Sequence, residues 1–187
     1  MEGVPQAMRK NHVMRTYEAG WVSPSQYAHK HSGREPAMTE PIKFYSTADE
    51  YGEFSNFAGF PIKIGKKMWP TTEHYFQAMK FKDKSEQEKI HKANSPMLAA
   101  RMGRDRKRTL RRDWESAKVN VMREAVMAKF TQHDELRELL LATGDAKIIE
   151  HTANDDYWGD GGDGKGRNML GRILMDVRAK LREEKDS

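Results

Sequence analysis

The sequence predicts an α+β fold, namely a single mainly helical domain with a small β-sheet. Three observations support this prediction. Apolar residues recur at helical spacing in several segments, three shorter segments are rich in β-branched or aromatic residues, and no internal repeat is visible. At 187 residues, the chain suffices for one ordinary domain with some additional length. We therefore expect one hydrophobic core.

Two parts of the chain differ in composition. Residues 1–40 are polar, contain three glycines and three prolines, and lack a sustained helical or alternating apolar pattern. We expect them to form a weakly ordered N-terminal extension, which Trp21 and Tyr27 could dock onto the rest of the protein. Residues 41–187 are expected to form the folded domain.

Short segments rich in β-branched and aromatic residues predict the strands. They are residues 42–45, residues 60–64, which turn back at Gly65, and residues 147–151. Because each segment is only a few residues long, the sheet is expected to be small.

Capping residues and aromatic content predict the first helices. Residues 73–81 are expected to form a helix with Thr71 or Thr72 as its N-cap. A capping box at residues 85–88 predicts the start of the next helix.

Later segments continue the helical pattern. Ser95 and Pro96 supply the N-cap and the first position of a helix that ends near Gly103. Apolar residues then repeat at helical spacing over residues 119–130 and again over residues 136–140. These helices are interpreted as scaffold.

Composition limits the classes of function. The chain carries a formal net charge of +5, 33% of its residues are charged and its mean hydropathy is −0.91. No apolar run approaches the roughly 20 residues of a membrane span and the first residues do not resemble a signal peptide, so we expect a soluble cytoplasmic protein with no membrane partner. The absence of cysteine excludes disulfides, thiolate metal sites and cysteine nucleophiles. The basic excess suits an anionic partner, such as a phosphorylated metabolite or nucleic acid, although a solvated surface can carry the same excess.

Residues 158–168, which we call the glycine loop, contain five glycines and two aspartates. Glycine permits positive φ and close approach of the backbone to a ligand, so this loop predicts a phosphate or sugar site. Asn168 begins a helix with an apolar face, and amides at a helix N-terminus bind anions. A flexible surface turn is the competing interpretation. The candidate residues are Trp158, Gly159, Asp160, Gly161, Arg167 and Asn168.

Two known loop types do not fit the glycine loop. The spacing of a phosphate-binding P-loop holds up to Lys165, but Gly166 stands where that motif needs a serine or threonine. A calcium loop of the EF-hand type, counted from Asp160, has Gly171 in place of its bidentate glutamate.

The helix predicted over residues 73–81 carries a second candidate site. Glu73, Gln77 and Lys80 stand at positions i, i+4 and i+7, so they share one face. A solvated stripe of polar pairs is the usual explanation for such spacing. This helix and the preceding Trp69 are unusually aromatic, however, which indicates burial. A buried glutamate and lysine favour a functional role.

Three further groups of residues are candidates for substrate binding. Asn56 could hydrogen-bond a base or sugar while Phe57 stacks on it, or the pair could close one end of the sheet. The basic run of residues 101–112, which includes Arg104, could contact a phosphate or a nucleic-acid backbone, or could be a solvated loop. Trp114 could stack on a base or pack in the core.

Several separated motifs resemble, in order, those of the NADAR family and its YbiA-like members. The motifs are residues 42–45, 54–57, 69–78, 95–96 with 101–104, 114–115, and 157–162 with 164–168. The resemblance covers about residues 42–183 and leaves residues 1–40 outside. It implies hydrolysis of the N-glycosidic bond between a heterocyclic base and ribose. Family members are described as acting on phosphorylated ribosylamino-pyrimidine intermediates of riboflavin synthesis or on guanine that carries ADP-ribose.

The resemblance also implies roles for the candidate residues. Cleavage of a C–N glycosidic bond passes through an oxocarbenium-like state, which a carboxylate stabilises while an acid helps the base to leave. Glu73 and Asp160 are the expected carboxylates. Lys80 could protonate the leaving group, hold a phosphate or form a Schiff base with a ring-opened ribose.

The remaining candidates are expected to bind the substrate, and no metal or cofactor is expected. They are Asn56, Phe57, Trp69, Gln77, Arg104, Trp114, Trp158, Gly159, Gly161, Arg167 and Asn168. Trp158 and Trp114 would stack on the base, Asn56 and Asn168 would contact polar edges, and amides of the glycine loop would hold phosphate together with Arg167. The expected partner is a small phosphorylated ribosyl substrate, and protein partners are not predicted.

Two alternatives accompany this expectation. The first changes the substrate to ADP-ribosylated guanine on nucleic acid, which the basic run of residues 101–112 would contact. The second is a non-catalytic module that binds ADP-ribose or a nucleotide, for which replacement of Glu73 by glutamine would leave affinity nearly unchanged.

Overall fold

Helices dominate the architecture. The computed structural model describes residues 40–186, so the extension expected for residues 1–40 lies outside the described residues except for Glu40. In the described part there are six α-helices: α1 (Thr72–Ala78), α2 (Lys84–His91), α3 (Pro96–Gly103), α4 (Trp114–Gln132), α5 (Asp134–Ala142) and α6 (Met169–Asp186). Four strands of three residues accompany them: β1 (Ile42–Phe44), β2 (Ile62–Ile64), β3 (Lys67–Trp69) and β4 (Ile148–Glu150). The predicted mainly helical α+β class is confirmed.

The strands form two separate two-stranded sheets, where the sequence predicted one small sheet. β1 pairs in parallel with β4, with Ile42 opposite Ile148. β2 and β3 form an antiparallel hairpin that turns at Gly65, whose φ of 62° favours glycine. The two pairs pack against different helices, β4 against α6 and β2 against α4. The parallel pair matters for function, because the chain leaves β4 directly into the glycine loop region.

Helix α1 is buried on every face and packs against α2, α3 and α4. Its N-cap is Thr71, whose hydroxyl oxygen accepts from the backbone N–H of His74. The helix ends at Ala78, three residues before the predicted end, and Met79 and Lys80 form a turn. Lys80 lies in that turn, where its carbonyl accepts from the N–H of Arg111 at 2.8 Å.

The N-cap of α2 differs from the prediction, whereas that of α3 agrees with it. The predicted capping box at residues 85–88 is wrong, since α2 begins at Lys84 and its N-cap is Asp83, whose carboxylate accepts from the N–H of Ser85. Aspartate is as good an N-cap as serine, so the earlier residue forms the cap. Ser95 caps α3 and Pro96 opens it, as predicted.

The core lies between α4, α6 and the aromatic residues of the N-terminal half. All five apolar residues that define the predicted face of the last helix are buried: Leu170, Ile173, Leu174, Val177 and Leu181. Phe54 packs edge-on against both Phe44 and Phe130, at centroid distances of 5.8 and 5.7 Å. These contacts hold the short 3-10 helix Gly52–Phe54 against α4.

A buried lysine fixes the chain just after this 3-10 helix. Lys129, on α4, is 1% exposed, and its ammonium donates to the carbonyl oxygens of Glu53 and of Ser55, the latter at 2.9 Å. Burial lowers the pKa of Lys129 to about 7, although the nearby Glu53 raises it. The amine therefore titrates in the folded protein near neutral pH.

We predict that Lys129→Met removes a pH dependence of stability. In the unfolded chain Lys129 keeps its proton up to about pH 10.4. The folded chain releases this proton near pH 7, so between these values the unfolded state binds more protons and the free energy of unfolding rises with pH. Urea unfolding between pH 7 and 10 should show a weaker rise in the variant than in the wild type.

The matched control for this measurement is Lys66→Met, which removes an exposed charge in the hairpin between β2 and β3. Its stability should rise with pH as steeply as that of the wild type. Equal slopes for Lys129→Met and the wild type would contradict the lowered pKa.

Candidate active site

Glu73 lies in the first turn of α1, and this turn is hydrogen-bonded to the backbone of Asn56. The N–H of Glu73 donates to the carbonyl oxygen of Asn56 at 3.1 Å, and the hydroxyl of Thr72 donates to the same oxygen. Nε2 of Gln77 donates to Oε1 of Glu73 at 2.7 Å, which confirms that these two side chains share one face. Glu73 is only 5% exposed. The carbonyl of Asn56 thus fixes the start of α1 and, with it, the position of Glu73.

The charge state of Glu73 is set by opposing effects. Burial raises its pKa, and the nearby carboxylate of Asp155 raises it further. The hydrogen bond from Gln77 and the positive charges of Arg104 and Lys80 lower it, but the net pKa lies above the usual value. Glu73 can therefore hold and release a proton closer to neutral pH than a surface glutamate does.

Lys80 lies beside this carboxyl against aromatic rings. Its Nζ is 5.5 Å from the ring centroid of Phe76 and 5.8 Å from that of Trp114, and it donates to the carbonyl of Gly103 at 3.4 Å. Burial lowers the pKa of Lys80, whereas the charge of Glu73 raises it, and the pKa remains below the usual value. The predicted grouping of Glu73, Gln77 and Lys80 is thus present.

Asp160 is buried at the start of the glycine loop, and both of its oxygens are engaged. Oδ1 accepts from the N–H groups of Thr152 at 3.1 Å and Gly162 at 2.9 Å, while Oδ2 accepts from Nδ1 of His151 at 2.8 Å. Burial raises the pKa of Asp160, but these hydrogen bonds outweigh it and hold the pKa below its usual value. Asp160 is consequently an ionised carboxylate that organises the loop.

The backbone amides of the glycine loop donate within the loop and to the segment before it. The N–H groups of Asp160, Gly166 and Asn168 donate to the carbonyls of Glu150, Asp160 and Gly159 respectively. Gly161 has a φ of 72°, and its N–H donates to the carbonyl of Asp155. These amides are already bonded, which argues against the expectation that the amides of this loop hold a phosphate.

Gly159 is required for packing. A Cβ added to it would collide with the side chain of Thr152 and with the carbonyl of Glu150. Its absence of a side chain lets the loop lie directly on the end of β4.

Both candidate asparagines bond to the protein itself. Asn168, with a φ of 48°, accepts from the N–H of Glu150 and donates to the carbonyl of Ile148, which ties the end of the loop to β4. The side-chain oxygen of Asn56 accepts from Thr72, and Nδ2 of Asn56 contacts Sδ of Met122 at 3.3 Å. These bonds position the elements that carry the candidate carboxylates.

Three aromatic side chains form what we call the aromatic wall: Phe76, Trp114 and Trp158. The Phe76 ring lies 5.1 Å from that of Trp114 and 5.2 Å from that of Trp158, measured between centroids. Trp114 is buried, whereas Trp158 is half-buried. The wall joins α1, the start of α4 and the glycine loop, and Lys80 lies over its Phe76 and Trp114 rings.

Two other predicted aromatic contacts lie elsewhere. Trp69 is 4% exposed and packs edge-on against Tyr75 and His91, so its ring is part of the core. Phe57 is half-buried in the turn after the 3-10 helix.

Arg167 lies on one side of Tyr157, with its guanidinium carbon 4.7 Å from the ring centroid. Nζ of Lys118 is 3.9 Å from the same centroid. Tyr157 in turn packs edge-on against Trp158 at 5.0 Å. Tyr157 therefore lies between Arg167 of the loop and Lys118 of α4.

The family model of the NADAR domain matches residues 43–182. This chain belongs to the NADAR family. The matched NADAR region contains every candidate site residue and excludes residues 1–40, in agreement with the resemblance seen in the sequence.

Related proteins support the same assignment. The chain is 62% identical over 144 residues to N-glycosidase YbiA of Escherichia coli (strain K12), an alignment that covers 77% of this chain and 90% of that protein. It is 45% identical over 150 residues to riboflavin biosynthesis protein VVA0006 of Vibrio vulnificus, covering 80% of this chain and 41% of that protein. The NMR structure of the E. coli protein YbiA superposes with a TM-score of 0.75 at 60% identity, covering 80% of this chain and 89% of the other.

One ionisable residue of this site, Glu150, is not predicted from the sequence. Glu150 ends β4, and burial raises its pKa to about 7, with further increases from the negative charges of Asp155, Glu73 and Asp160. In the sequence Glu150 is only the last residue of a short strand. Its position shortly before the glycine loop is the one feature that could have indicated a functional role. Glu150 links the electrostatic surroundings of Glu73 with those of Asp160.

Residues 40–186 contain no group of three or more histidine, aspartate or glutamate side chains placed to hold a metal ion. No helix within this range is long and apolar enough to cross a membrane.

The last residue of α3 determines how closely α3 approaches the face of α1 that carries Glu73 and Gln77. A Cβ added to Gly103 would collide with the side chain of Gln77. Gln77 is 3% exposed, and its Oε1 is buried with no hydrogen-bond partner among the described residues. Gly103 therefore sets the position of the side chain that holds Glu73.

We predict that Gly103→Ala lowers kcat by about 10- to 100-fold, because a displacement near 1 Å at a catalytic group has effects of this size. The new methyl group would collide with the Gln77 side chain and so displace the amide that donates to Glu73. Steady-state kinetics and thermal melting should be measured together.

The double variant Gly103→Ala/Gln77→Ala provides the control. Truncation of Gln77 should remove the two shortest contacts, those with Oε1 and Cδ, and leave only that with Cβ. Gly103→Ala should therefore cost less thermal stability in this background, while activity stays low. Full activity of Gly103→Ala would contradict this prediction.

Proposed function

We propose that this chain is an N-glycosidase that hydrolyses the bond between base and ribose in phosphorylated ribosylamino-pyrimidine intermediates of riboflavin biosynthesis. The observation that carries the proposal is the buried carboxyl of Glu73, whose pKa is raised, next to Lys80 and the aromatic wall. The similarity to proteins named N-glycosidase YbiA and riboflavin biosynthesis protein VVA0006 supports the reaction and the substrate class.

The two predicted carboxylates have opposite environments. The pKa of Glu73 is raised and that of Asp160 is lowered, and such pairs divide acid and base functions in many hydrolases. Glu73 donates its proton to the nitrogen of the leaving base as the C–N bond breaks. Water then adds to the anomeric carbon, and its proton returns to Glu73. Asp160 stays ionised, and its negative charge favours the positive charge that develops on the ribose.

Lys80 adjusts the proton affinity of Glu73. Its positive charge lowers the pKa of Glu73 and so opposes the effect of burial. A carboxyl with a pKa far above the working pH would be a weak proton donor, so this counteracting charge keeps Glu73 in a useful range.

The aromatic wall provides the surface for the base. Trp158 is half-buried and packs edge-on against Phe76, so part of its ring is accessible. Flat heterocycles stack on such rings. A base stacked on Trp158 would lie close to Phe76, which is on the same helix as Glu73.

ADP-ribosylated guanine on nucleic acid is the second candidate substrate. The specific observation in its favour is the exposure of four neighbouring cations, Arg101, Arg104, Arg106 and Lys107. A site that contacts several backbone phosphates loses affinity steeply with added salt, whereas a site for one small substrate does not.

We predict that Glu73→Gln abolishes release of free base, with a loss of roughly 100- to 10,000-fold in kcat, the range expected for loss of a general acid. The variant should keep its substrate affinity and its melting temperature, because glutamine has nearly the same shape. The assay follows released base by chromatography after incubation with a ribosylamino-pyrimidine phosphate and, separately, with an ADP-ribosylated guanine oligonucleotide.

Glu138→Gln, on the exposed surface of α5, is the matched control and should be fully active. Normal turnover by Glu73→Gln would remove the acid function from this residue. Tight ligand binding by the wild type without any turnover would indicate the non-catalytic alternative.

We predict that Asp155→Asn shifts the alkaline limb of the rate profile to lower pH. If Glu73 acts as the acid, activity falls as pH rises through its pKa, and the charge of Asp155 raises that pKa. Asparagine removes the charge but keeps Oδ1, which accepts from the N–H groups of Tyr157 and Trp158. The pH dependence of kcat/KM measures the shift.

The neighbouring Asp156→Asn removes an exposed carboxylate and should leave the profile unchanged. An unshifted or upward-shifted limb in Asp155→Asn would argue against Glu73 as the general acid.

A further inference from the structure

An open depression of about 690 Å³ lies along α3 and the residues just after it. Met97, Leu98 and Met102 provide apolar lining, while Arg101, Arg104 and Arg108 provide three guanidinium groups. A depression with this lining fits an anionic group that is attached to a less polar body.

The three arginines differ in whether their charge is already neutralised. Arg108 forms an ion pair with Glu86 and lies 3.6 Å from Asp105, the acidic residue of the lining. The side chains of Arg101 and Arg104 are exposed and take part in none of the hydrogen bonds or ion pairs found within residues 40–186. Among residues 40–186, two guanidinium groups of the depression therefore have no hydrogen-bonded or ion-paired partner.

The depression adjoins the candidate active site. The charge of Arg104 acts on both Glu73 and Lys80, which requires it to lie near them. The preceding Gly103 touches Gln77 and accepts a hydrogen bond from Lys80. Gly103 and Arg104 thus connect the lining of the depression with the group formed by Glu73, Gln77 and Lys80.

The glycine loop is a weaker place for a phosphate. The amides of Asp160, Gly161 and Gly166 donate to carbonyl oxygens of the protein, and the Arg167 guanidinium lies over the Tyr157 ring. The arginines at α3, by contrast, combine free charge with planar donors that match the geometry of phosphate oxygens.

We propose that Arg101 and Arg104 bind the 5′-phosphate of the ribosyl substrate in this depression. This inference rests on the proposed N-glycosidase function and specifies the phosphate subsite of the same site. A 5′-phosphate is separated from the anomeric carbon by the sugar ring and one methylene group, so its cation must lie beside the catalytic carboxyl and not at it. Arg104 meets this requirement through its proximity to Glu73, and Arg101 provides a second guanidinium group for the phosphate.

The test compares ribose 5-phosphate with ribose as ligands by titration calorimetry. The wild type should bind ribose 5-phosphate more tightly than ribose. Arg101→Ala and Arg104→Ala should each weaken ribose 5-phosphate binding by about 10-fold or more, since a hydrogen bond to a charged group has an effect of this size, and leave ribose binding unchanged. Arg104→Lys should retain part of the preference, because lysine keeps the charge but not the planar donors.

Arg106→Ala is the matched control, because it removes an exposed positive charge from the same segment but does not line the depression. It should bind ribose 5-phosphate like the wild type. An equal loss in Arg106→Ala would show that only the general field of the basic segment acts, and would overturn the subsite.

A second measurement separates this inference from the proposed function. Release of base from the pyrimidine substrate, with ribose 5-phosphate affinity unaffected by Arg101→Ala and Arg104→Ala, would leave the N-glycosidase standing and overturn the subsite. If no base is released but the preference for ribose 5-phosphate over ribose still depends on Arg101 and Arg104, the phosphate subsite stands and the N-glycosidase function is overturned. Weaker binding of a single-stranded oligonucleotide in these variants, without any change for ribose 5-phosphate, would assign the arginines to nucleic acid and also overturn the subsite.

Discussion

The burial of one carboxyl group, that of Glu73, constrains much of the surrounding structure. Removing a carboxylate from water is costly unless hydrogen bonds and opposite charges compensate. Here the compensation comes from three elements, since Gln77 donates on the same helix, Lys80 lies in the following turn, and Arg104 lies just beyond α3. The close approach of α3 to α1 at Gly103 and the full burial of α1 therefore belong to the same arrangement.

Charges around Glu73 are separated by sign. Lys80 and Arg104 come from the turn after α1 and from the end of α3, whereas Asp155 and Glu150 come from the β4 side of the site. A nucleoside phosphate has a matching division, with an anion at one end and a centre that becomes positive during cleavage. The pKa directions of Glu73 and Asp160 are opposite because desolvation outweighs the other effects at Glu73, whereas hydrogen bonds outweigh desolvation at Asp160.

Local signals in the sequence were sufficient for helix starts and apolar faces, as Thr71, Ser95 and the buried face of α6 illustrate. They failed at α2, where two good N-cap residues lie two positions apart: Ser85 was predicted as the cap, but Asp83 forms it. The i, i+4 pairing of Glu73 with Gln77 was also predictable, because it depends on helix geometry alone. Glu150 was not, since its raised pKa arises from residues that only the tertiary fold brings near.

The position of Glu73 depends on a second buried ionisable group at some distance along the chain. Lys129 holds the carbonyls of Glu53 and Ser55, and the next residue, Asn56, accepts the N–H of Glu73. The path from α4 to the start of α1 is thus a short series of hydrogen bonds in which each acceptor is a backbone carbonyl. Because neutral lysine still has two N–H donors, loss of its proton near pH 7 leaves both bonds possible. The site can therefore keep its geometry across the pH range in which Glu150 and Lys129 titrate.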